Sequence, residues 1–149
     1  MSVFGAFAIS ASGLTAERLR MDVISNNIAN VNTTQTLEGG PYQRQRVLFE
    51  PRGEKAQFLF PAFFDKSKQA ENLKGVKVTG VINSPEPSKL VFDPGHPDAD
   101  RTGYVKMPNV NIVKEMVDMI SATRAYEANV TALNSAKTMA NKALEIGRA

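Results

Sequence analysis

Apolar positions gather at the two ends of this chain and repeat there with helical spacing. Near the start, Phe7, Ala11, Leu14, Met21 and Ile28 fall on one stripe at steps of three, four and seven, with Phe4, Ile24 and Val31 beside it. Arg18 and Ser25 interrupt the stripe, and Gly13 sits inside the helical run, where Gly costs about 1 kcal/mol relative to Ala. At the other end, no Gly or Pro occurs from Asn109 to Ile146. There Ile112, Met116, Met119, Tyr126, Val130, Leu133, Ala140 and Leu144 keep a 4,3 spacing, broken by Thr123 and Lys137. Val113, Val117 and Ile120 widen the apolar face at its start, and Ala122, Ala125, Ala128, Ala132 and Ala136 supply small flanks. Pro108 followed by Asn109 reads as a helix start with Asn109 as N-cap, and Gly147 as the C-cap. A helix of that length measures about 57 Å at 1.5 Å per residue. A compact domain with a gyration radius of ~13 Å cannot enclose it, so it is expected to protrude.

The middle of the chain has a different character. Seven of the eight prolines and seven of the ten glycines lie between Thr33 and Met107. Short β-like runs stand between these breakers: from Tyr42 (YQRQRVLF), Gln57 (QFLF), Val76 (VKVTGVI) and Lys89 (KLVF). The fold class that follows is mainly α with a β insert. Residues 1–33 and 108–149 form long terminal helices packed as a coiled-coil-like domain, and residues 34–107 form a small, β-rich, loop-containing domain between them. No internal repeat is visible.

The first helix carries a local contradiction. The stretch NNIANVN puts Asn26, Asn27, Asn30 and Asn32 at its end, although the short Asn amide competes for backbone hydrogen bonds and disfavours helix. Asn30 and Asn32 stand where the helix should stop and suit a C-cap. Asn26 and Asn27 lie nearer the body, where an amide can donate and accept across a packed helical layer and fix register at some cost in stability.

Composition narrows the chemistry. The 149 residues include no Cys, no Trp and one His, with a net charge of +3. Zero cysteine removes disulfides, thiolate nucleophiles and Cys-ligated metals from consideration. Asp93, His96, Asp98 and Asp100 lie within eight residues and could offer a hard-to-borderline donor set. Pro94, Gly95 and Pro97 make the same stretch a turn, however, in which Asp is favoured for local backbone bonding. His96 is the only imidazole, and no serine sits in a G-x-S-x-G setting. From Pro41 to Lys77, Arg44, Arg46, Arg52, Lys55, Lys66, Lys68, Lys74 and Lys77 outnumber four acidic residues, with phenylalanines interleaved, as in single-strand nucleic-acid modules. The apolar FLFPAFF of Phe58–Phe64 reads instead as a core or docking patch. A metal-binding enzyme and a basic nucleic-acid module are therefore the rival readings; the one preferred has no catalytic, cofactor or metal residues.

Two amphipathic helices can cover part of each other, but a two-helix pair leaves a flank exposed. Assembly with further copies resolves this, and heterologous packing of that kind propagates into rings, tubes or filaments. No segment approaches a membrane span of roughly 18 apolar residues. The first 21 residues lack a basic n-region and read as retained rather than cleaved.

SNNIANVNTTQT, with an A-N-x-N-T pattern at Ala29–Thr33, resembles the N-terminal signature of flagellar rod and hook proteins. EGGPYQRQRVLFE, and the long run from Asp93 to Arg148, resemble the proximal-rod members of the flagellar basal-body rod protein family. That resemblance implies a non-enzymatic structural subunit of the bacterial flagellar basal body, carried by type III export without a cleaved signal peptide. Its terminal helices would polymerise into a hollow periplasmic drive shaft that transmits torque and passes exported subunits. Implied partners are other copies, FlgB-like and FlgF-like rod proteins, the distal rod, a FliE-like basal-body adaptor and the flagellar export apparatus. No nucleic acid, membrane insertion or cofactor is implied. The assembly interface would use Phe7, Leu14, Met21 and Ile28 against Ile112, Met119, Tyr126 and Leu133, with Asn26, Asn27, Asn30 and Asn32 supplying directional bonds.

Overall fold

The computed structural model describes residues 3–37, 39–52 and 75–147. The elements run α1 (Val3–Ala29), β1 (Gln45–Pro51), β2 (Val76–Asn83), β3 (Lys89–Phe92), β4 (Tyr104–Met107) and α2 (Ile112–Ile146). Two long helices thus flank a β-containing region, and the chain is mainly helical with a β insert. Three of the four β-like runs appear as strands; the run from Gln57 lies outside the described residues. β1 pairs with β2, and β3 with β4, in two separate two-stranded sheets. β4 has no counterpart in the sequence reading, because YVKM is too short for its alternation to stand out. No helix among the described residues is long and apolar enough to cross a membrane.

The chain divides into two compact units. The first comprises Met1–Arg18, Phe49–Thr79 and Arg124–Ala149. Here small residues let α1 and α2 approach closely: Ala16 and Ala136 are buried, and a Cβ added to Gly13 would stand 3.0 Å from the Asn129 amide nitrogen. That explains a glycine inside a helix. Ser12 Oγ donates to the Ile9 carbonyl at 2.7 Å and accepts the Val76 N–H at 3.0 Å, pinning the start of β2 to α1. Gly75, just before it, has φ +85°, and a Cβ there would run into the Ser12 side chain.

The second unit comprises Leu19–Leu48 and Gly80–Thr123. Its apolar core is Val23, Ile24, Val105, Val110 and Ala122. The helices run antiparallel here, with Asn27 against Glu115 and Met21 against Thr123. β3 and β4 are antiparallel, pairing Lys89 with Met107, Leu90 with Lys106, Val91 with Val105 and Phe92 with Tyr104.

The buried side of α2 differs from the stripe expected. In the second unit its buried positions are Glu115 and Ala122, with Asp118 and Met119 half-buried; in the first it is Ala136, with Ala125, Tyr126, Asn129, Val130, Leu133 and Ala140 half-buried. Met119, Tyr126, Val130, Leu133 and Ala140 of the expected stripe are thus partly covered, but the fully buried Glu115, Ala122 and Ala136 each stand one residue before Met116, Thr123 and Lys137 of that stripe. Small and polar residues take the close-approach positions, because bulkier ones would hold the helices apart. Ile112, Val113, Met116, Val117 and Ile120 stay 46–71% exposed. The N-cap also shifts: Asn111, not Asn109, accepts the Val113 and Lys114 N–H groups at 3.1 and 3.3 Å. Asn109 is buried and spends its amide elsewhere. At the far end, the Gly147 N–H closes α2 on the Ala143 carbonyl at 3.1 Å.

Candidate functional site: a buried polar knot where both helices meet a strand

Strand alternation places Tyr42 and Arg44 on the same side of the segment entering β1. Both meet the end of α1 and the start of α2. The result is a knot of polar side chains in the second unit, centred on Asn27 (1% exposed), Glu115 (0%) and Arg44 (7%).

Asn27 uses all the hydrogen-bonding capacity of its amide. Its Nδ2 donates to the Gln45 carbonyl at 2.9 Å and to Glu115 Oε2 at 3.0 Å. Its Oδ1 accepts the Tyr42 hydroxyl at 2.8 Å and the Gln45 N–H at 2.9 Å. Arg44 Nε donates to Glu115 Oε1 at 2.6 Å, the short contact of a charge-assisted bond. The same guanidinium reaches Asp118 Oδ2 at 3.3 Å, and Arg20 lies 3.8 Å from Asp118 Oδ1. The backbone joins in. The Arg44 N–H donates to Asn109 Oδ1 at 2.8 Å, Asn109 Nδ2 donates to the Glu86 carbonyl at 2.7 Å, and the Arg44 carbonyl accepts the Ser84 N–H at 2.7 Å. Burial, and secondarily the negative charge of Glu115, push the Tyr42 phenol above its ordinary value of 10.0.

Every buried charge here is paired and hydrogen-bonded, which is what makes it tolerable. The knot fixes α1, α2 and β1 in one register. Its carboxylate and guanidinium neutralise each other.

The four asparagines thus have separate tasks. Asn27 is the hub. Asn26 Nδ2 donates to the Tyr42 hydroxyl at 3.3 Å. Asn30 donates its amide to the Asn26 carbonyl and to Asn26 Oδ1, both at 2.9 Å, closing the end of α1, and accepts from Thr33 Oγ1 at 3.2 Å. Asn32 is exposed. Phe7, Leu14, Met21 and Ile28 are all half-buried, as are Met119, Tyr126 and Leu133, while Ile112 is exposed. Met21 accepts a 3.6 Å contact from Thr123 Oγ1, so that stretch of α1 faces α2 of the same chain.

Sequence reasoning missed Glu115, and placed Arg44 only in a basic series. The one available signal was a glutamate interrupting the apolar start of α2, three residues beyond Ile112. Its partner, 71 residues away, is beyond any local spacing rule.

The Asp93–Asp100 stretch is a turn. Asp93 Oδ1 accepts the Gly95 N–H, His96 Nδ1 accepts the Asp98 N–H, Asp98 Oδ2 accepts the Thr34 hydroxyl and Asp100 Oδ1 accepts the Arg101 N–H. Among the described residues no three His, Asp or Glu side chains converge on a metal-sized site. Of the basic series, Arg44 is buried in the knot and Lys77 pairs with Glu50 at 3.3 Å.

Polar groups bound inward, and apolar side chains left outward on α2 and the β3–β4 hairpin, define a class: a structural protein shaped for assembly. The comparisons agree in detail. A profile described as flagella basal body rod protein matches residues 7–35, and one described as flagellar basal body rod FlgEFG protein C-terminal matches residues 101–146. The flagellar basal-body rod protein FlgC of Borreliella burgdorferi is 50% identical over 150 residues, 98% of each chain. That of Bacillus subtilis is 46% identical and that of Salmonella typhimurium 39%, each covering 99% of this chain and 100% of its own. The chain belongs to the FlgC family of flagellar basal-body rod proteins.

Proposed function

We propose that this chain is a structural subunit of the bacterial flagellar proximal rod. The supporting observation is the end-to-end similarity to proteins named for that rod, joined to helices whose apolar faces are only partly covered. Residues 1–33 and 108–149 supply the rod core, and 34–107 the insert outside it. Packed around a common axis, the terminal helices build a hollow periplasmic shaft that carries torque and passes exported subunits. The chain reaches that site through the flagellar export apparatus. Its neighbours are further copies, FlgB-like and FlgF-like rod proteins, the distal rod and a FliE-like adaptor. The role is mechanical, not enzymatic.

On this reading the half-buried residues Phe7, Leu14, Met21 and Ile28, with Ile112, Met119, Tyr126 and Leu133, complete their burial against neighbours. Asn26, Asn30 and Asn32 sit at the rim of that contact. Asn27 acts one step back, by holding the helix ends in the geometry the contact requires. The test is replacement. Expressed in a bacterium lacking its own FlgC, the chain should enter basal bodies and restore swimming. Stable expression with neither incorporation nor motility refutes the proposal.

A further inference from the structure

The β3–β4 hairpin has two unlike faces. On one, Val105 is 1% exposed and its partner Val91 42%; on the other, Leu90 and Phe92 are 65% and 62% exposed and Tyr104 46%. Alternation puts Leu90, Phe92, Tyr104 and Lys106 on one side, and the Phe92 and Tyr104 rings meet edge to face at 5.3 Å. The Asp93 N–H donates to the Gly103 carbonyl at 3.0 Å. This makes 93 and 103 a hydrogen-bonded pair and turns the backbone groups of Leu90 and Phe92 away from β4. A strand with apolar side chains exposed beside an open edge is a template for association unless something covers it. Beside it lies a cleft of about 410 Å³, lined by Leu90, Tyr104, Lys106, Thr34, Asp98 and Asp100.

The same unit carries a second uncovered face. Ile112, Met116 and Ile120 form an i+4 ridge on α2, with Val113 and Val117 alongside. Exposed Lys114, one turn before Val117, flanks this face on the side away from Ile112. Nine residues of helix measure about 13 Å, a short ridge suited to a cleft. The cleft has two carboxylates and one ammonium, a net negative lining that complements Lys114.

We propose that the first two turns of α2 of one copy dock on the β3–β4 hairpin and adjoining cleft of a second copy, with Lys114 facing Asp98 and Asp100. This rests on the rod-subunit reading and adds which surfaces meet. The contact joins two different patches of the same chain, so it is head-to-tail and leaves each end free to continue, as an open helical array requires.

Two variants of the full chain test it by sedimentation velocity. Leu90→Asp spoils the hairpin and leaves the helix face intact; Val117→Asp does the reverse. Both sites are exposed, so circular dichroism should match wild type. Wild type should form a concentration-dependent series, and each variant should self-associate roughly 30-fold more weakly or worse, as when a central interface anchor is lost. An equimolar mixture retains one intact hairpin and one intact helix face, and should form a pair that stops at two. Asp100→Lys, which leaves the strands alone, should weaken association with wild type and recover it with Lys114→Glu. The inference is overturned if wild type stays monomeric at its highest soluble concentration, if either single variant assembles like wild type, or if the mixture remains monomeric. Restored swimming by a Val117→Asp chain would overturn it while leaving the rod reading intact.

Discussion

Replacing Arg44 by Met would leave the fully buried Glu115 carboxylate with a single donor among the described residues, Asn27 Nδ2 at 3.0 Å. Breaking a buried ion pair from one side costs about 3–5 kcal/mol, because the remaining charge stays dry and unpaired. That is a large part of the ~5–15 kcal/mol that holds an ordinary domain together. The reverse change, Glu115→Gln, should cost less. Arg44 keeps Asp118 at 3.3 Å, and Asp118 is one-third exposed, so the guanidinium still has a hydrated partner. Replacing both members, Arg44→Met with Glu115→Leu, removes the uncompensated charge and should recover much of the loss. Urea unfolding followed at 222 nm gives all three values. The expected order is Arg44→Met worst, Glu115→Gln intermediate, and the double variant milder than the sum of its parts. An Arg44→Met cost below about 1 kcal/mol, the level of an exposed pair, or strict additivity in the double variant, would refute the knot as the element fixing this register.

Other expectations follow from the same geometry. Asn27→Asp sets a carboxylate oxygen where Nδ2 now meets Glu115 Oε2 and the Gln45 carbonyl; it should lower stability by at least ~2 kcal/mol, with partial recovery under acidic conditions in a melting series. The Tyr42 phenol is held above its ordinary value, so folded and unfolded chains bind its proton equally below pH 10. Above that, the unfolded chain ionises first and binds fewer protons, so stability falls as pH rises; Tyr42→Phe should flatten this alkaline decline in urea midpoints. Gly75→Ala forces a side chain into a positive-φ position against Ser12, and should cost roughly 2 kcal/mol or more in thermal unfolding. Gly13→Ala should stay within ~1 kcal/mol of wild type, helix propensity offsetting displacement of the Asn129 amide, whereas Gly13→Leu should separate the helices and melt markedly earlier.

Periodicity made the two helices, three strands and the β insert legible in the sequence, because apolar spacing and Gly/Pro breaks are local signals. The register of α2 was not. Met116 and Val113 look like core on hydropathy, yet Glu115 and Ala122 are inside, because helix separation and a buried ion pair outweigh hydropathy at those positions. The asparagine cluster was legible as an anomaly, and Asn27 as a bonding residue. Its partners Tyr42, Gln45 and Glu115 lie 15, 18 and 88 residues away, distances at which sequence spacing carries no geometry. Asn109 misled for a related reason: an Asn after Pro marks a cap, but its amide bridges Arg44 and Glu86 instead.

The 88-residue separation of Asn27 from Glu115 also sets a clock. Whether the polypeptide emerges from a ribosome or through a narrow conduit, amino end first, its leading stretch cannot be locked until about three quarters of the length has followed. Until then Asn27 and Arg44 lack the Glu115 carboxylate that receives both, and closing so wide a loop is entropically slow. The knot is therefore among the last contacts that a chain made from its amino end can complete.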